Sequence, residues 1–342
     1  MAGSSSSAFF IGMPVVHPST YRPPFGMGNG HVQSIFPALF RRVPVVTRER
    51  ERLTTADGDF LDLDWDTSGR FLRLAILSHG LEGDSGNPYV QGMAAALRRA
   101  GWDTLAWNFR GCSGEPNRLL RSYHSGATED LDAVVTHALK TGRYKGLALV
   151  GFSLGGNMTL KYLGDLAGSV DSRLTAAVAF SVPCDLASSS RQLEKTSNRV
   201  YMNRFLGNLR KKIRGKMKVF PGQLSDAGLD AMRTFREFDG AYTAPLHGFS
   251  SADDYWTRAS CRPVLGRLAI PALLVNARND PFLAPECFPF AEAEASADFH
   301  FEAPRSGGHV GFVSFNRRNE YWSETRAVAF LNYASTRQTM RK

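Results

Sequence analysis

The stretch Val150-Gly151-Phe152-Ser153-Leu154-Gly155-Gly156 decides how this chain is read. Upstream of it, Gly146-Leu147-Ala148-Leu149-Val150 is a short apolar run with a β-branched end; downstream, Met158 to Leu163 carries apolar residues at helical spacing. The stretch therefore predicts a strand that turns sharply into a helix with one serine at the turn. In that context G-x-S-x-G reads as a nucleophile elbow, and the competing reading, a serine in an ordinary glycine-rich turn, loses its appeal. Side chains at 151 and 155 are expected to clash, because a strained serine backbone draws neighbouring segments close.

Outward from this point strands alternate with helices. Strands are expected at 72–78, 104–108, 147–150, 176–180, 272–276 and 299–302, and helices at 89–100, 127–139, 154–166, 285–294 and 321–333. That order implies an α/β fold, a mostly parallel sheet with helices on both faces. Earlier, 43–46, 48–53 and 60–65 alternate apolar and polar residues, with Asp57-Gly58 as a hairpin turn, and predict antiparallel strands at one edge. Between Cys184 and Cys261 no strand is evident. Residues 184–261 are expected to form a helical lid inserted into a core made of 21–183 and 262–342, over the strand ends where open α/β sheets bind ligands. The serine-rich segment 1–20 is expected to be disordered. From Tyr21 to His31, proline and glycine predict an ordered but irregular arm.

With 342 residues and 43% apolar content the chain can build a large core. No apolar run approaches the roughly 20 residues of a membrane helix. The run from Ala8 to Val16 is short, broken and without a preceding basic region, a poor signal peptide, so a cytoplasmic location is expected. Cys112, Cys184, Cys261 and Cys287 are scattered without C-x-x-C spacing, which predicts free thiols and neither a zinc site nor a disulfide framework. The net charge of +9 is local: Arg191 to Lys218 holds ten basic residues and one acid, and the rest is balanced. Such a run reads as a solvated helix face; a weak peripheral membrane contact through 191–218 is the further partner it admits, and no nucleic-acid motif accompanies it.

A serine hydroxyl needs a base, itself oriented by an acid. In this type of fold they follow the nucleophile in the order acid, then histidine. After Ser153 come His247, in the lid, His300, inside an alternating strand, and His309, in the glycine-flanked loop Ser306-Gly307-Gly308-His309-Val310-Gly311-Phe312. His309 is the expected base. Asp280, in the loop leaving the next-to-last strand, is the expected acid, with Asp185 as the alternative. The oxyanion of acyl transfer needs two N–H donors: Leu154 at the helix start, and Leu81 in Ser78-His79-Gly80-Leu81-Glu82-Gly83. His79 is expected to shape that loop. Cys112 and His124 are expected to support the elbow by hydrogen bonds, and Ser125 or Thr128 to cap a helix. This chemistry requires neither cofactor nor metal.

With Gly151 to Asn157, His79 to Gly83, Asn108-Phe109-Arg110-Gly111-Cys112-Ser113-Gly114 and Gly308-His309 in that order, the chain resembles the YheT-like branch of the α/β-hydrolases, related to eukaryotic ABHD-type serine hydrolases. The arm from Pro24 to Ser34 resembles the amino-terminal signature of that branch, and the resemblance runs from about Pro24 to Tyr333. It implies a serine esterase or lipase acting on carboxylic esters, with Ser153, Asp280 and His309 at the triad positions. The expected protein is thus a cofactor-free ester hydrolase working through an acyl-enzyme on a small-molecule ester or acyl lipid. A thioesterase, amidase or phospholipid acyl hydrolase with the same triad, or a non-catalytic binding protein on this scaffold, are the alternatives.

Overall fold

The computed structural model describes residues 13–43 and 48–340. Among them nine strands form one sheet: β1 (Val15–Val16), β2 (Glu49–Thr54), β3 (Phe60–Asp66), β4 (Arg73–Ser78), β5 (Asp103–Asn108), β6 (Gly146–Phe152), β7 (Leu174–Phe180), β8 (Ala272–Val275) and β9 (Phe299–Glu302). Their order is β1-β9-β8-β7-β6-β4-β5-β3-β2. The Asp57-Gly58 turn, closed by the Gly58 amide on the Thr55 carbonyl at 3.0 Å, makes β2 and β3 an antiparallel hairpin. β3 pairs antiparallel with β5, and every other pairing is parallel.

Helices cover both faces: α1 (Gly30–Phe40), α2 (Pro88–Arg99), α3 (Thr128–Lys140), α4 (Leu154–Leu166), α5 (Leu186–Leu193), α6 (Arg199–Val219), α7 (Phe235–Phe238), α8 (Ala244–Leu246), α9 (Ala252–Ala259), α10 (Phe290–Glu294) and α11 (Trp322–Met340). Strand alternation divides the core. Leu74 and Ile76 of β4 join Leu147 and Leu149 of β6 under α3 and α4, while Ala75, Leu77, Ala148 and Val150 face α2 and α11. Each large side chain so buried contributes about 1.5–3 kcal/mol. Between β7 and β8 the described chain is helical, α5 to α9, with a small core of its own around Leu193, Leu206, Ile213, Phe238 and Tyr242.

Four expectations need correction. The segment expected to be disordered as far as residue 20 is structured from Met13, since Val15 and Val16 pair with Phe301 and Glu302. The irregular arm runs into α1, which Asn29 caps by accepting the His31 amide at 2.8 Å. The single helix expected over 285–294 is broken into a 3-10 turn at Pro285–Cys287 and the short α10, because Pro289 stands between them without an N–H to continue the ladder. Neither Ser125 nor Thr128 caps α3, whose N-cap is Ala127; the Ser125 hydroxyl instead accepts from Tyr255 at 2.9 Å. Part of the strand expected at 43–46 lies outside the described residues. All four cysteines are free thiols.

Candidate active site

β6 delivers Ser153 at a backbone φ of 53° and ψ of −120°, and α4 starts at the next residue. This strained turn survives because its neighbours leave no room to relax. A methyl group at Gly155 would lie 2.3 Å from the His79 carbonyl oxygen, and one at Gly151 would lie 2.5 Å from that of Gly155. Glycine at both positions is thus a packing requirement: α4 sits directly on the end of β4. Asn157, in the first turn, ties the helix to its surroundings by donating to the Ser125 and Ala259 carbonyls and accepting the Cys261 amide.

His309 Nε2 lies 2.9 Å from Ser153 Oγ, and His309 Nδ1 lies 2.9 and 3.1 Å from the two Asp280 oxygens. The Asp280 side chain is fully buried and that of His309 is 12% exposed. A neutral imidazole that donates Nδ1–H to the carboxylate leaves Nε2 as acceptor for the hydroxyl, so the series can move a proton from Ser153 to His309. The three residues come from the ends of β6, β8 and β9. His300 Nδ1 donates to the Met13 carbonyl, away from the serine, and Asp185 caps α5 by accepting the Ser188 amide.

Several partners of this series carry no local sequence signal. The Phe282 ring lies 4.0 Å from the imidazole at 32°, and its amide donates to Asp280 Oδ1 at 2.9 Å. Ser34 of α1 accepts the His309 amide at 2.7 Å, Asn279 accepts that of Gly308 at 3.0 Å, and Ser181 accepts that of Val310 at 2.9 Å. The Asn-Gly-His stretch of the arm could have pointed to α1, because Gly30 is where this helix touches the Asn279 and Gly308 loops.

The Leu81 loop runs beside the serine: a Cβ on Gly80 would stand 3.3 Å from Ser153 Cβ. The Gly83 amide closes a turn on the Gly80 carbonyl at 3.0 Å, and Glu82 within it has φ of 53°. Leu154, the first residue of α4, has an N–H free of the helix's own ladder, with the helix dipole behind it. Leu81 and Leu154 line one cavity with Ser153 and His309. His79 shapes the loop: Nδ1 is 2.7 Å from the Gly80 carbonyl, Nε2 accepts the Phe109 amide, and burial pushes the imidazole down to about 3, hence neutral. Cys112 and His124 make no hydrogen bond to the elbow. His124 Nδ1 accepts the Gly126 amide, and Cys112 Sγ lies 3.3 Å from Lys212 Nζ.

Lys212 belongs to α6, the helix of the basic run, whose inner face is not solvated as the sequence suggested. Its ammonium donates to Glu82 Oε1 at 2.7 Å, where Tyr123 also donates at 2.6 Å, and the Tyr123 hydroxyl accepts the Glu82 amide at 2.8 Å. Burial opposes the charge, but Cys112 and Glu82 outweigh it and hold the amine above its ordinary value. One turn on, buried Lys216 donates to the carbonyls of Asn117, Leu119 and Arg121. In the loop after β5, the Arg110 guanidinium is clamped by Asp130, Asp59 and Asp57 at 2.6–3.0 Å.

The cavity has a volume of about 150 Å³. From Ser153 it extends among α5 to α9, lined by Leu186, Leu193, Phe205, Ile213, Phe238 and Trp256. Asp239 also lines it; burial pushes its carboxyl up to about 6 although Thr243 and Trp256 donate to it. Among the described residues no group of three or more His, Cys, Asp or Glu side chains is arranged to hold a metal ion, and no helix is long and apolar enough to cross a membrane.

A family model described as the alpha/beta hydrolase fold matches residues 76–288. The YheT protein of Escherichia coli strain K12 is 37% identical over 96% of this chain and 94% of its own. A human protein named phospholipase ABHD3 is 29% identical over 91% of this chain and 78% of its own. Among solved structures, an esterase of Pyrococcus furiosus superposes with a TM-score of 0.59 at 16% identity, over 92% of this chain and all of its own, a likeness of fold. The chain belongs to the α/β-hydrolase fold family, in the branch that contains YheT.

Proposed function

We propose that this protein is a serine carboxylic ester hydrolase. The observation that supports this most is the unbroken series Ser153 Oγ, His309 Nε2, His309 Nδ1 and Asp280, set on a strained turn facing an apolar cavity. Ser153 Oγ attacks the acyl carbon as its proton passes to His309 Nε2. The amides of Leu81 and Leu154 hold the oxyanion. His309 returns the proton to the leaving alcohol, and water, deprotonated by the same imidazole, releases the acid and restores Ser153. Asp280 keeps the tautomer, and the Phe282 ring keeps the plane of the imidazole. The apolar lining suits the acyl side of the ester. The esterase and phospholipase names of relatives fit this reading.

Ser153→Ala is expected to lose hydrolysis of a short p-nitrophenyl ester and labelling by a fluorophosphonate probe, with an unchanged unfolding curve. Retained turnover, or probe attachment at another residue, overturns the assignment.

A further inference from the structure

Helix α1 is amphipathic and turned inside out. Its buried positions are Gly30, Gln33 and Pro37, and the Gln33 amide is engaged inside the fold by the Tyr21 hydroxyl at 2.6 Å and the Met27 carbonyl. Val32, Ile35, Phe36, Leu39 and Phe40 recur at the three- and four-residue spacing of one helix face. That face points outward: Leu39 is 66% and Phe40 65% exposed. Phe36 packs 5.2 Å from Phe40 and 5.8 Å from Phe315, which is itself exposed, so the loop following His309 extends the patch. Water-soluble helices bury such a stripe, and a contiguous apolar patch left outward marks an interaction surface.

Charge selects the occupant. Residues 13–43 and 303–319 contain no Asp or Glu, while Arg22, Arg42, Arg317 and Arg318 are exposed within them. The Asn319 side chain donates to the Arg42 carbonyl at 2.7 Å, which brings the arginine-bearing ends of both segments together. A second copy docked face to face would set arginine against arginine with no carboxylate between them. We propose that the outer face of α1, with Phe315, docks on an anionic lipid bilayer surface. The apolar side chains enter the boundary between headgroups and acyl chains, and the arginines meet lipid phosphates. Ser34 on the same helix holds the His309 loop, so docking places the site beside the lipid. His31 at the start of α1 stacks on Tyr201 of α6 at 5.7 Å, so the amino-terminal end of the basic run lies beside this helix.

The test is co-sedimentation of the full chain carrying Ser153→Ala, which leaves the lipid intact and makes the outcome independent of the proposed hydrolysis. The vesicles are phosphatidylcholine alone, or phosphatidylcholine mixed with phosphatidylglycerol. The protein is expected to sediment with the mixed vesicles, and less as salt rises. Leu39→Ser with Phe40→Ser is expected to weaken partitioning by about tenfold or more, with an unchanged thermal unfolding midpoint. Arg42→Glu with Arg317→Glu and Arg318→Glu should abolish the preference for phosphatidylglycerol. The proposal is overturned if the parent stays in solution, if the serine pair binds like the parent, or if the glutamate triple keeps the preference. Loss of binding through Lys211→Glu with Lys218→Glu alone would assign the contact to α6. A dimer abolished by the serine pair, without vesicle binding, would assign the face to a second copy.

Discussion

Lys212→Met removes the ammonium that ties α6 to the loop bearing the Leu81 amide while keeping the length of the side chain. Breaking a fully buried ion pair from one side costs about 3–5 kcal/mol, because the remaining charge is left without its partner. Here the Lys212 and Glu82 side chains are 17% and 9% exposed, so solvent takes up part of the loss. Global stability is then expected to fall by about 2 kcal/mol. Glu82, held at positive φ, keeps only Tyr123 as a brace, and the Leu81 amide beside it drifts. With the Leu81 amide as a proposed oxyanion donor, its displacement is expected to lower kcat by about a hundredfold with little change in KM. Urea unfolding and steady-state kinetics on a p-nitrophenyl ester read the two effects separately, and Lys212→Arg should restore much of kcat. The amine lies above its ordinary 10.5, so the pair's stability is fully present below that pH and is lost as pH rises through the folded value. A Lys212→Met protein with parental kcat would refute the idea that this pair positions the loop.

Gly155→Ala should cost about 3 kcal/mol, since the new methyl meets backbone oxygens of Ser78 and His79 that no rotamer change can move; an unchanged thermal midpoint contradicts this. Arg110→Met leaves buried Asp59 and Asp130 facing each other without their cation, and about 3–5 kcal/mol should disappear from denaturant unfolding. A loss below about 1 kcal/mol would mean that the carboxylates find other partners. Because burial raises the Asp239 carboxyl from 3.8 to about 6, the folded state holds its proton more tightly than the unfolded chain, and stability falls as pH rises between those values. Asp239→Asn should flatten that slope and gain about 2 kcal/mol over the parent at neutral pH; parallel stability curves for the two proteins would count against it.

What could be read from sequence was local or ordered along the chain. Alternation gave β4 to β9, helical spacing gave α2 to α4, and the strand-turn-helix pattern at Ser153 gave the turn. That Asp280 and His309 lie beside Ser153 was legible because the loops after neighbouring parallel strands open at one sheet edge. α1 escaped because its proline lies inside the helix and its apolar stripe faces out, so both usual signals were inverted. The basic run hid two inward lysines: charge alone does not tell which turn of α6 faces the fold, and Lys212 and Lys216 are one turn apart on its inner side. Phe282, Ser34 and Asn279 were invisible for another reason. Their partners are distant in sequence, and a contact between distant loops leaves no periodicity.

The bond from Ser34 to the His309 amide spans 275 residues. A growing chain on the ribosome carries Ser153 and most of the sheet well before an imidazole exists to set beside the hydroxyl, and α1 waits with its partner still unmade. On the proposed mechanism, reactivity at the elbow therefore waits for residue 309, and nascent chains that stop short of it bear a serine without its base. Chains stalled upstream of residue 309 would emerge inert.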